Sequence, residues 1–463
     1  MTLVAGIDSS TQATKIEVRD AETGALVRTG RAPHPATAPP RSEQDPAAWW
    51  AAFEQAAVVA GGLDDCAAVS IAAQQHGLVV TDAAGTPLRP AKLWNDTESA
   101  PDAAWLLKQL DDGTGGWARA CGSVPVAAFT ITKLSWLHRT EPEVFARIEQ
   151  VMLPHDWLSW RLTGEYSTDR GDASGTGYWS PATGEYRHDL LEIVDAELDW
   201  ADALPPVRDA ADALGTGDNM AAALGLGMVP GDVAVSLGTS GTVFAVSETP
   251  TADPTGAVAG FADAAGRYLP LVCTLNATKV TDTVARVLGV DHLGLDALAM
   301  AAAPGAGGLT LVPYFDGERT PNRPDARGAL VGLHPGASRE AVARAAYEGV
   351  VCGLLDGLDA LRAVEVPVDG RCFLLGGGAR SGAYRQVVAD LAQRPVTVVA
   401  DGELVALGAC VQAAARAQPV SIAEVQAAWN LGCGHEIDPI ASADAAEAIR
   451  SDYARAHGAR IRT

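Results

Sequence analysis

Two segments of the chain repeat the same pattern of apolar and polar positions. The first runs from Leu3 to Val18 and is interrupted by Ser9-Ser10-Thr11-Gln12, and the second runs from Val233 to Val246 and is interrupted by Gly238-Thr239-Ser240-Gly241. Short apolar runs rich in β-branched residues, joined by small polar residues, predict β-hairpins. Two copies of one hairpin about half a chain apart suggest two related α/β halves, with two unrelated hairpins as the alternative.

Between and after these hairpins, the apolar positions follow helical and strand spacings in turn. The predicted helices are Pro46–Val59, Ala103–Leu110, Val342–Ala363, Gly382–Gln393 and Glu403–Ala417, and the predicted strands are Ala67–Ala72 and Arg371–Leu375. Helices and strands in alternation indicate an α/β fold. The Pro-, Ala- and Gly-rich stretch Leu204–Gly217 predicts a domain junction, and residues 439–460 predict a terminal helix.

Length and composition are those of a globular protein of two or three domains. The chain has 463 residues, of which 48% are hydrophobic and 20% are charged, and a domain usually contains roughly 100–200 residues. No apolar run approaches the roughly 20 residues of a membrane span, and the first residues carry neither a basic start nor a cleavable apolar stretch. The seven scattered cysteines include no CxxC pair, which indicates neither a zinc site nor a disulfide framework. We therefore expect a cytoplasmic protein that does not bind a membrane.

The formal net charge of −23 narrows the set of expected partners. A nucleic-acid-binding protein needs a basic stripe to neutralise phosphates, and the sequence has none, so we expect no nucleic-acid partner. On so acidic a chain, an anionic ligand must be held by local groups. Backbone N–H groups at turns and helix starts, or a bound metal ion, can do this.

Two aspartates occupy positions that suit phosphate chemistry. Asp8 ends the first predicted strand and precedes the hydroxyls of Ser10 and Thr11. Such a turn can hold a hydrated divalent cation and donate hydrogen bonds to phosphate, and a plain β-turn is the alternative. Asp218, in Gly217-Asp218-Asn219, begins an Ala- and Gly-rich stretch. As a catalytic group it could accept the proton of an attacking hydroxyl, and as a structural group it would be a helix N-cap.

Two further stretches offer polar groups to a ligand. Phe373–Leu375 followed by Gly376–Ser381 predicts a strand, a glycine turn and a helix, which brings backbone amides close to a nucleotide. This stretch matches neither the P-loop nor the dinucleotide-binding fingerprint, and tight strand–helix turns also need glycine. Gln74-Gln75-His76-Gly77, with Trp94-Asn95-Asp96, offers amides, an imidazole and an apolar wall to a polyol. The alternative for a lone histidine is a structural role.

The order of these motifs along one chain favours the functional interpretations. The Asp8 hairpin, Gln74–Gly77, Trp94–Asp96, Gly217–Asn219, Ser236–Gly241 and Gly376–Ser381 together resemble the FGGY family of carbohydrate kinases. The resemblance extends from about residue 3 to about residue 430 and includes Ser42–Pro46, Leu153–Leu158 and Gly317–Pro321. Within the family, the motifs are most similar to those of the kinases that act on D-xylulose.

The resemblance implies a two-domain, actin-like (ribonuclease-H-like) α/β fold with the active site in the cleft between the domains. It implies a sugar-binding domain at residues 1–222, an ATP-binding domain at residues 223–430 and a helical tail at residues 431–463. The implied reaction is the ATP- and Mg²⁺-dependent phosphorylation of D-xylulose to D-xylulose 5-phosphate. A homodimer is consistent with the resemblance.

The resemblance also implies roles for single residues. Asp218 is the implied general base, and Asp8 is implied to lie near the phosphates and to hold Mg²⁺ through water. The implied sugar contacts are Gln75, His76 and Asn219, with Trp94 as a wall, and the implied ATP contacts are Ser10, Thr11, Thr239, Gly377, Gly378 and Ala379.

The sequence departs from the family pattern at two places. Ala128 stands where the family's first signature has a different residue, and Asp218 follows soon after Leu204-Pro205. This leaves little room for the hairpin, helix and buried strand that normally precede the catalytic acid, so we expect that strand to be missing. Three hypotheses follow: a kinase of D-xylulose, a kinase of the same family for another ketose, gluconate or glycerol, and a catalytically impaired sugar- or nucleotide-binding protein.

Overall fold

The computed structural model describes residues 1–399 and 402–458, and the chain divides into two units. Unit 1 comprises Met1–Met228, Ser247–Leu269 and Asp401–Gly432, and unit 2 comprises Val229–Val246, Pro270–Ala400 and Cys433–Thr463. Both units are therefore discontinuous in sequence. Among the described residues, no helix is both long and apolar enough to cross a bilayer.

The strands and helices are numbered in chain order. The strands are β1 (Leu3–Ser9), β2 (Ala13–Asp20), β3 (Leu26–Pro33), β4 (Glu43–Gln44), β5 (Cys66–Ala73), β6 (Val79–Thr81), β7 (Ala91–Lys92), β8 (Gln150–Met152), β9 (Thr168–Asp169), β10 (Trp179–Ser180), β11 (Glu185–Tyr186), β12 (Val207–Arg208), β13 (Gly215–Gly217), β14 (Val233–Leu237), β15 (Gly241–Ala245), β16 (Ala259–Ala262), β17 (Tyr268–Thr274), β18 (Thr310–Val312), β19 (Ala329–Val331), β20 (Cys372–Leu375), β21 (Val396–Val399) and β22 (Gly434–Ile437). The helices are α1 (Pro46–Val59), α2 (Ala100–Leu106), α3 (Gly113–Cys121), α4 (Thr130–Thr140), α5 (Pro142–Phe145), α6 (Pro154–Thr163), α7 (Arg170–Ala173), α8 (His188–Leu191), α9 (Trp200–Ala203), α10 (Asp218–Gly225), α11 (Thr278–Leu288), α12 (His292–Ala301), α13 (Arg339–Ala363), α14 (Gly382–Ala392), α15 (Leu404–Ala417), α16 (Ile422–Ala428) and α17 (Ala443–Gly458).

The sheet of unit 1 has the strand order β13–β5–β1–β2–β3. Strand β1 pairs antiparallel with β2 and parallel with β5, and β5 pairs parallel with β13. In register, Ser9 lies opposite Ala73, and Ala73 lies opposite Gly217. The carboxyl ends of β1, β5 and β13 therefore lie side by side, and in open α/β sheets this is where ligands bind.

Unit 2 repeats this topology with its own strands. Its sheet contains β17–β15–β14–β20–β21–β22 in that order. Strand β14 is antiparallel to β15 and parallel to β20, β15 is antiparallel to β17, and β20 is parallel to β21. Each unit therefore has an antiparallel three-stranded meander extended by two parallel strands. The expectation of two similarly built α/β halves is confirmed.

Successive side chains of β1 point to opposite faces of the sheet in unit 1. Ile7 points into an apolar core that includes Trp49 of α1, whereas Gly6 and Asp8 point to the opposite face. There α15 packs across β1 and β5. A Cβ atom on Gly6 would lie 2.1 Å from the carbonyl oxygen of Ala406, so glycine is what lets the helix approach the strand this closely.

Helix boundaries follow their capping residues. Helix α1 begins at Pro46 because the Asp45 carboxylate accepts a hydrogen bond from the Ala47 amide at 2.9 Å, and its bounds are those predicted. Helix α13 begins earlier than predicted, since Ser338 caps it through the Ala341 amide at 3.2 Å.

The strand expected to be missing before Asp218 is present. Strand β13 consists of Gly215-Thr216-Gly217 and pairs with β5. These residues have no strand-like composition, so the expectation was wrong because pairing with a distant strand, and not local preference, forms β13. The stretch Leu204–Gly217, expected as a domain junction, lies inside unit 1, and the chain enters unit 2 only after Met228.

Two other segments differ from their sequence-based descriptions. The helix predicted at Ala103–Leu110 is α2, which ends at Leu106. The region expected as a helical tail contains β22, which pairs with β21 at the edge of the sheet of unit 2, followed by α17. This part of the chain therefore completes the second sheet.

Candidate active site

Asp8 lies near the carboxyl end of β1 with its side chain buried. Its carboxylate accepts hydrogen bonds from Ser10 Oγ and from Lys15 Nζ, the latter at 3.1 Å. The Lys15 ammonium also contacts Glu403 Oε2 at 2.7 Å. Burial raises the pKa of Asp8, and the positive charge of Lys15 opposes that rise. The carboxylate is thus fixed between a hydroxyl and a cation that sequence reasoning did not single out.

Asp218 is the first residue of α10 and directly follows β13. Its Oδ1 accepts hydrogen bonds from Asn219 N at 2.9 Å and from Asn219 Nδ2 at 3.0 Å. The backbone amide of Asp218 itself also donates to this carboxylate. The helix N-cap is Gly217, so Asp218 does not act as the cap. Burial, followed by the negative charges of Asp8 and Asp172, raises the pKa of Asp218 to about 7. Such a carboxylate can accept a proton near neutral pH.

Gln75 lies just after β5 and meets Asn219. Its Oε1 accepts a hydrogen bond from Asn219 Nδ2 at 2.8 Å, while its Nε2 is buried without a hydrogen-bond partner in the described part of the chain. A Cβ atom on Gly217 would lie 2.6 Å from Gln75 Cγ, so the glycine leaves room for this side chain. A buried amide donor without a partner is costly, and a hydroxyl of a ligand would satisfy it.

The ring of His76 lies between two phenylalanine rings. The ring centroids are 5.1 Å from Phe129 and 5.3 Å from Phe261, and a Cβ atom on Gly175 would lie 2.2 Å from His76 Nδ1. The backbone of His76 has a φ of 63°, a conformation that surrounding contacts must hold in place and that clusters at functional sites. The imidazole is therefore held in one orientation beside Gln75.

Trp94 and Thr11 connect the loop after β7 to the turn after β1. Trp94 Nε1 donates a hydrogen bond to Thr11 Oγ1 at 2.9 Å, and the tryptophan is 38% exposed. The carbonyl oxygen of Thr11 accepts a hydrogen bond from Gln44 Nε2 at 3.1 Å. A residue predicted to contact the sugar thus touches a residue predicted to contact phosphate.

An acidic cluster beside this loop is structural. Glu43, Asp96 and Glu98 bring their carboxylates close enough to hold a metal ion. However, the fully buried ammonium of Lys92 already contacts all three, at 3.2, 3.1 and 2.6 Å. We therefore assign the cluster to fixing the loop that carries Trp94.

Unit 2 brings its two glycine-containing turns together at the carboxyl ends of β14 and β20. Thr239 lies in the first turn, and Gly377–Ala379 lie in the second. A Cβ atom on Gly376 would lie 2.6 Å from the carbonyl oxygen of Leu237, and one on Gly378 would lie 2.7 Å from Leu237 Cβ. Only glycine leaves room for the two turns to lie this close together. Their backbone amides then lie near one another, an arrangement that suits the binding of a nucleotide.

Sequence reasoning missed a buried charged group next to β13. It consists of His155, Asp156, Asp169 and Asp172. The first two fall in Leu153–Leu158, a family-like stretch to which no role was assigned. The other two belong to no motif, and only the fold brings them to His155.

Comparison with known proteins identifies the relatives of this chain. The family model described as FGGY family of carbohydrate kinases, N-terminal domain, matches residues 3–246, and its C-terminal counterpart matches residues 233–417. A xylulose kinase of Streptomyces coelicolor is 45% identical over 456 residues, which cover 95% of this chain and 93% of that protein. A xylulose kinase of Escherichia coli is 36% identical over 446 residues, which cover 89% of this chain and 90% of that protein.

A solved structure gives the same result. The crystal structure of xylulose kinase from Bifidobacterium adolescentis matches with a TM-score of 0.88 and 43% sequence identity, and the match covers 99% of both chains. The resemblance drawn from the motifs and the expected two-domain, actin-like α/β fold are therefore confirmed.

Proposed function

The chain belongs to the FGGY family of carbohydrate kinases, and we propose that it transfers the γ-phosphate of ATP to the terminal hydroxyl of D-xylulose. The product would be D-xylulose 5-phosphate. The relatives that cover most of the chain and carry the name xylulose kinase support this substrate.

The observation that carries the proposal is the position of Asp218 next to Asn219 and Gln75, where the buried Gln75 Nε2 has no hydrogen-bond partner in the described part of the chain. The pKa of Asp218 is raised to about 7 by burial and by nearby carboxylates, so the side chain can accept a proton near neutral pH. Asp218 takes the proton from the attacking hydroxyl. The amides of Gln75 and Asn219, the imidazole of His76 and the indole of Trp94 bind and orient the sugar.

The remaining predicted residues are assigned to the nucleotide. Its phosphates and adenosine are bound by Ser10, Thr11, Thr239 and the Gly377–Ala379 turn, through hydroxyl and backbone donors. The buried carboxylate of Asp8, which accepts a hydrogen bond from Ser10 and one from Lys15, fits a hydrated Mg²⁺ held through water. When bound, Mg²⁺ would neutralise negative charge on the phosphates during transfer.

A substrate panel tests the proposal. ADP release is measured on the purified chain with Mg²⁺-ATP and D-xylulose, other ketoses, gluconate or glycerol. We expect the highest kcat/KM with D-xylulose. An equal or higher kcat/KM with another polyol would overturn the assignment of D-xylulose as the substrate and would support a kinase of the same family with a different substrate. The hypothesis of an impaired binding protein rested on a missing strand, and the presence of β13 removes that support.

The pH dependence of the reaction should reflect Asp218. Because the base acts only when ionised, we expect kcat/KM for D-xylulose to fall as the pH drops below about 7, the pKa to which burial raises Asp218. The slope should approach about tenfold per pH unit. The measurement is direct quantification of sugar phosphate across this pH range, which avoids coupling enzymes with pH profiles of their own. A flat profile through neutral and mildly acidic pH would exclude this assignment of the base.

A further inference from the structure

A buried imidazole surrounded by three carboxylates lies against β13, the strand that directly precedes Asp218. His155 Nδ1 lies 2.8 Å from Asp172 Oδ2, and His155 Nε2 lies 3.2 Å from Asp156 Oδ1 and 3.6 Å from Asp169 Oδ1. None of these four side chains is more than 2% exposed. So many charged groups in an interior are costly unless they are paired and hydrogen-bonded. We name these four residues the His155 network.

The network is joined to β13 by a direct hydrogen bond. The buried hydroxyl of Thr216 donates to Asp169 Oδ2 at 2.7 Å. The neighbouring Gly215 lies against the imidazole, since a Cβ atom there would be 3.1 Å from His155 Cδ2. Gly217 alone separates Thr216 from the first residue of α10, so whatever fixes Thr216 also fixes the start of that helix.

Strand β13 needs such support because its pairing is limited. It is three residues long and lies at the edge of the sheet of unit 1, where the described residues give it β5 as its neighbour. Two of its three residues are glycine, which contribute no side-chain packing. Thr216 therefore supplies the polar side chain of this strand, and a hydrogen bond from its hydroxyl can fix the position of the strand.

The same network reaches the residue proposed to contact the sugar. The Asp169 carboxylate accepts hydrogen bonds from the backbone amides of Gly171 and Asp172 at 2.9 and 3.0 Å. Asp169 is thus the N-cap of α7. Gly175, just beyond α7, lies against the ring of His76. One buried group therefore supports two sides of the proposed site.

The charge of His155 binds the network together. Burial disfavours the charged imidazole, but Asp156, Asp172 and Asp169 outweigh it and raise the pKa of His155 to about 9. Burial also raises the pKa of Asp156 to about 7. At neutral pH a cation thus lies among the carboxylates. Titratable groups that interact with the network are Asp218, through Asp172, and Tyr166, Tyr178 and Tyr186, through Asp156. Asp218 also interacts with Asp8, which Lys15 and Glu403 flank.

We propose that the His155 network is a positioning device for the reaction, in which His155 holds Asp169, Asp169 holds Thr216, and Thr216 sets the place of Asp218. This inference rests on the proposed function for its kinetic readout. His155, Asp169 and Thr216 act through Asp218, so they are positioning residues. Catalytic groups must be held within about 0.5 Å by supporting hydrogen bonds, and an error of about 1 Å can cost on the order of 10²-fold in rate.

A conservative pair of substitutions at Thr216 tests the inference. Thr216→Val keeps the shape but removes the hydroxyl, and Thr216→Ser keeps the hydroxyl. We expect Thr216→Val to lower kcat by roughly 10- to 100-fold, with KM for D-xylulose changed by less than about threefold. Thr216→Ser should retain kcat within about threefold. A folded Thr216→Val chain with the kcat of the unmodified protein would overturn the proposal.

Two histidine variants provide a matched comparison. We expect His155→Gln to lower kcat as Thr216→Val does. His138→Gln should leave kcat unchanged, because His138 is a surface residue, 46% exposed, paired with Asp195 at 3.2 Å. If His155→Gln fails to fold, the Thr216 pair still decides the question. Equal losses of kcat in Thr216→Val and Thr216→Ser would count against the proposal.

Two further readouts separate positioning from stability and from substrate choice. Asp172→Asn removes a negative charge that faces Asp218, so the acid limb of kcat/KM should move to lower pH.

Hydrogen exchange of the amides at the start of α10 should become at least about tenfold faster in Thr216→Val and not in Thr216→Ser. Exchange does not depend on the sugar. Lack of turnover with D-xylulose in the unmodified protein would therefore count against the proposed function, whereas unchanged exchange would count against the network.

Discussion

Replacement of Asp218 by asparagine is expected to lower kcat for D-xylulose by about 10³-fold, since a positioned general base typically contributes roughly 10²–10⁴-fold. The amide cannot accept the proton of the sugar hydroxyl, yet it keeps the shape of the side chain. The hydrogen bond between Asn219 and Gln75, at 2.8 Å, does not involve Asp218 and should survive. Binding of ATP and of D-xylulose, measured by calorimetry, should therefore stay within about threefold of the unmodified protein.

The same variant should be more stable than the unmodified protein above neutral pH. Folding raises the pKa of Asp218 from its ordinary value to about 7, mainly through burial, so the ionised carboxylate disfavours the folded state. That penalty is present above about pH 7 and disappears as the pH falls below about 4. We expect Asp218→Asn to raise the melting temperature by about 3 °C at about pH 8 and to leave it unchanged at about pH 4.

An exposed aspartate in the same segment serves as the control. Asp212→Asn removes a carboxylate from the surface and should change neither kcat nor the melting temperature by a measurable amount. Retained turnover in Asp218→Asn would remove Asp218 from the role of base. A melting temperature lowered above neutral pH would mean that the surroundings stabilise its negative charge.

The parts of the fold that could be predicted from the sequence are those that local physical chemistry determines. The two hairpins, at Leu3–Val18 and Val233–Val246, combine β-branched runs with small polar turns, and each forms as expected. Helix α1 has its predicted bounds because an aspartate N-cap and a proline at the first helical position mark its start.

The parts that could not be predicted depend on contacts between distant segments. Strand β13 has the sequence Gly215-Thr216-Gly217, and pairing with β5 makes it a strand. The division of the chain into two units could not be predicted from local sequence for the same reason. Helix α15 follows most of unit 2 along the chain, yet it packs across β1 and β5 of unit 1. A single domain boundary inferred from composition cannot describe a chain whose later segments return to the first unit.

The candidate site shows the same limit. Asp8, Gln75 and Asp218 could be named because each ends or follows an element and belongs to a recognisable motif, and the fold brings all three to one end of the sheet in unit 1. Lys15 and the His155 network could not be named. Lys15 reads as an ordinary strand residue, and the carboxylates around His155 come together only through tertiary packing.

The largest loss of stability is expected from Gly408→Ala in α15. Helix α15 crosses α10, the helix that begins with Asp218, at backbone contact. A Cβ atom on Gly408 would lie 1.8 Å from the carbonyl oxygen of Ala221, and one on Gly225 would lie 2.3 Å from the carbonyl oxygen of Leu404. Both obstacles are backbone atoms, so no change of rotamer relieves the collision. The two helices would have to move apart.

We expect Gly408→Ala to lower the free energy of unfolding of unit 1 by about 3 kcal/mol and its melting temperature by at least about 5 °C. An exposed helix interior would instead favour alanine over glycine by about 1 kcal/mol, so the sign of the change is itself a test. Since α10 begins at Asp218, a shift of about 1 Å should also lower kcat by on the order of 10²-fold.

Gly353→Ala in α13 is the matched control for this collision. It makes the same change inside a helix, but among the described residues the new Cβ atom would meet the Tyr453 hydroxyl at 3.3 Å and Pro313 Cγ at 3.8 Å, and no backbone atom of another element. Its melting temperature should stay within about 3 °C of that of the unmodified protein. Thermal unfolding followed by circular dichroism, with kcat measured on the same samples, compares the two variants. Gly408→Ala with an unchanged melting temperature and kcat would mean that α10 and α15 do not meet at backbone distance. In that case α15 could not hold the helix that begins with Asp218 in place.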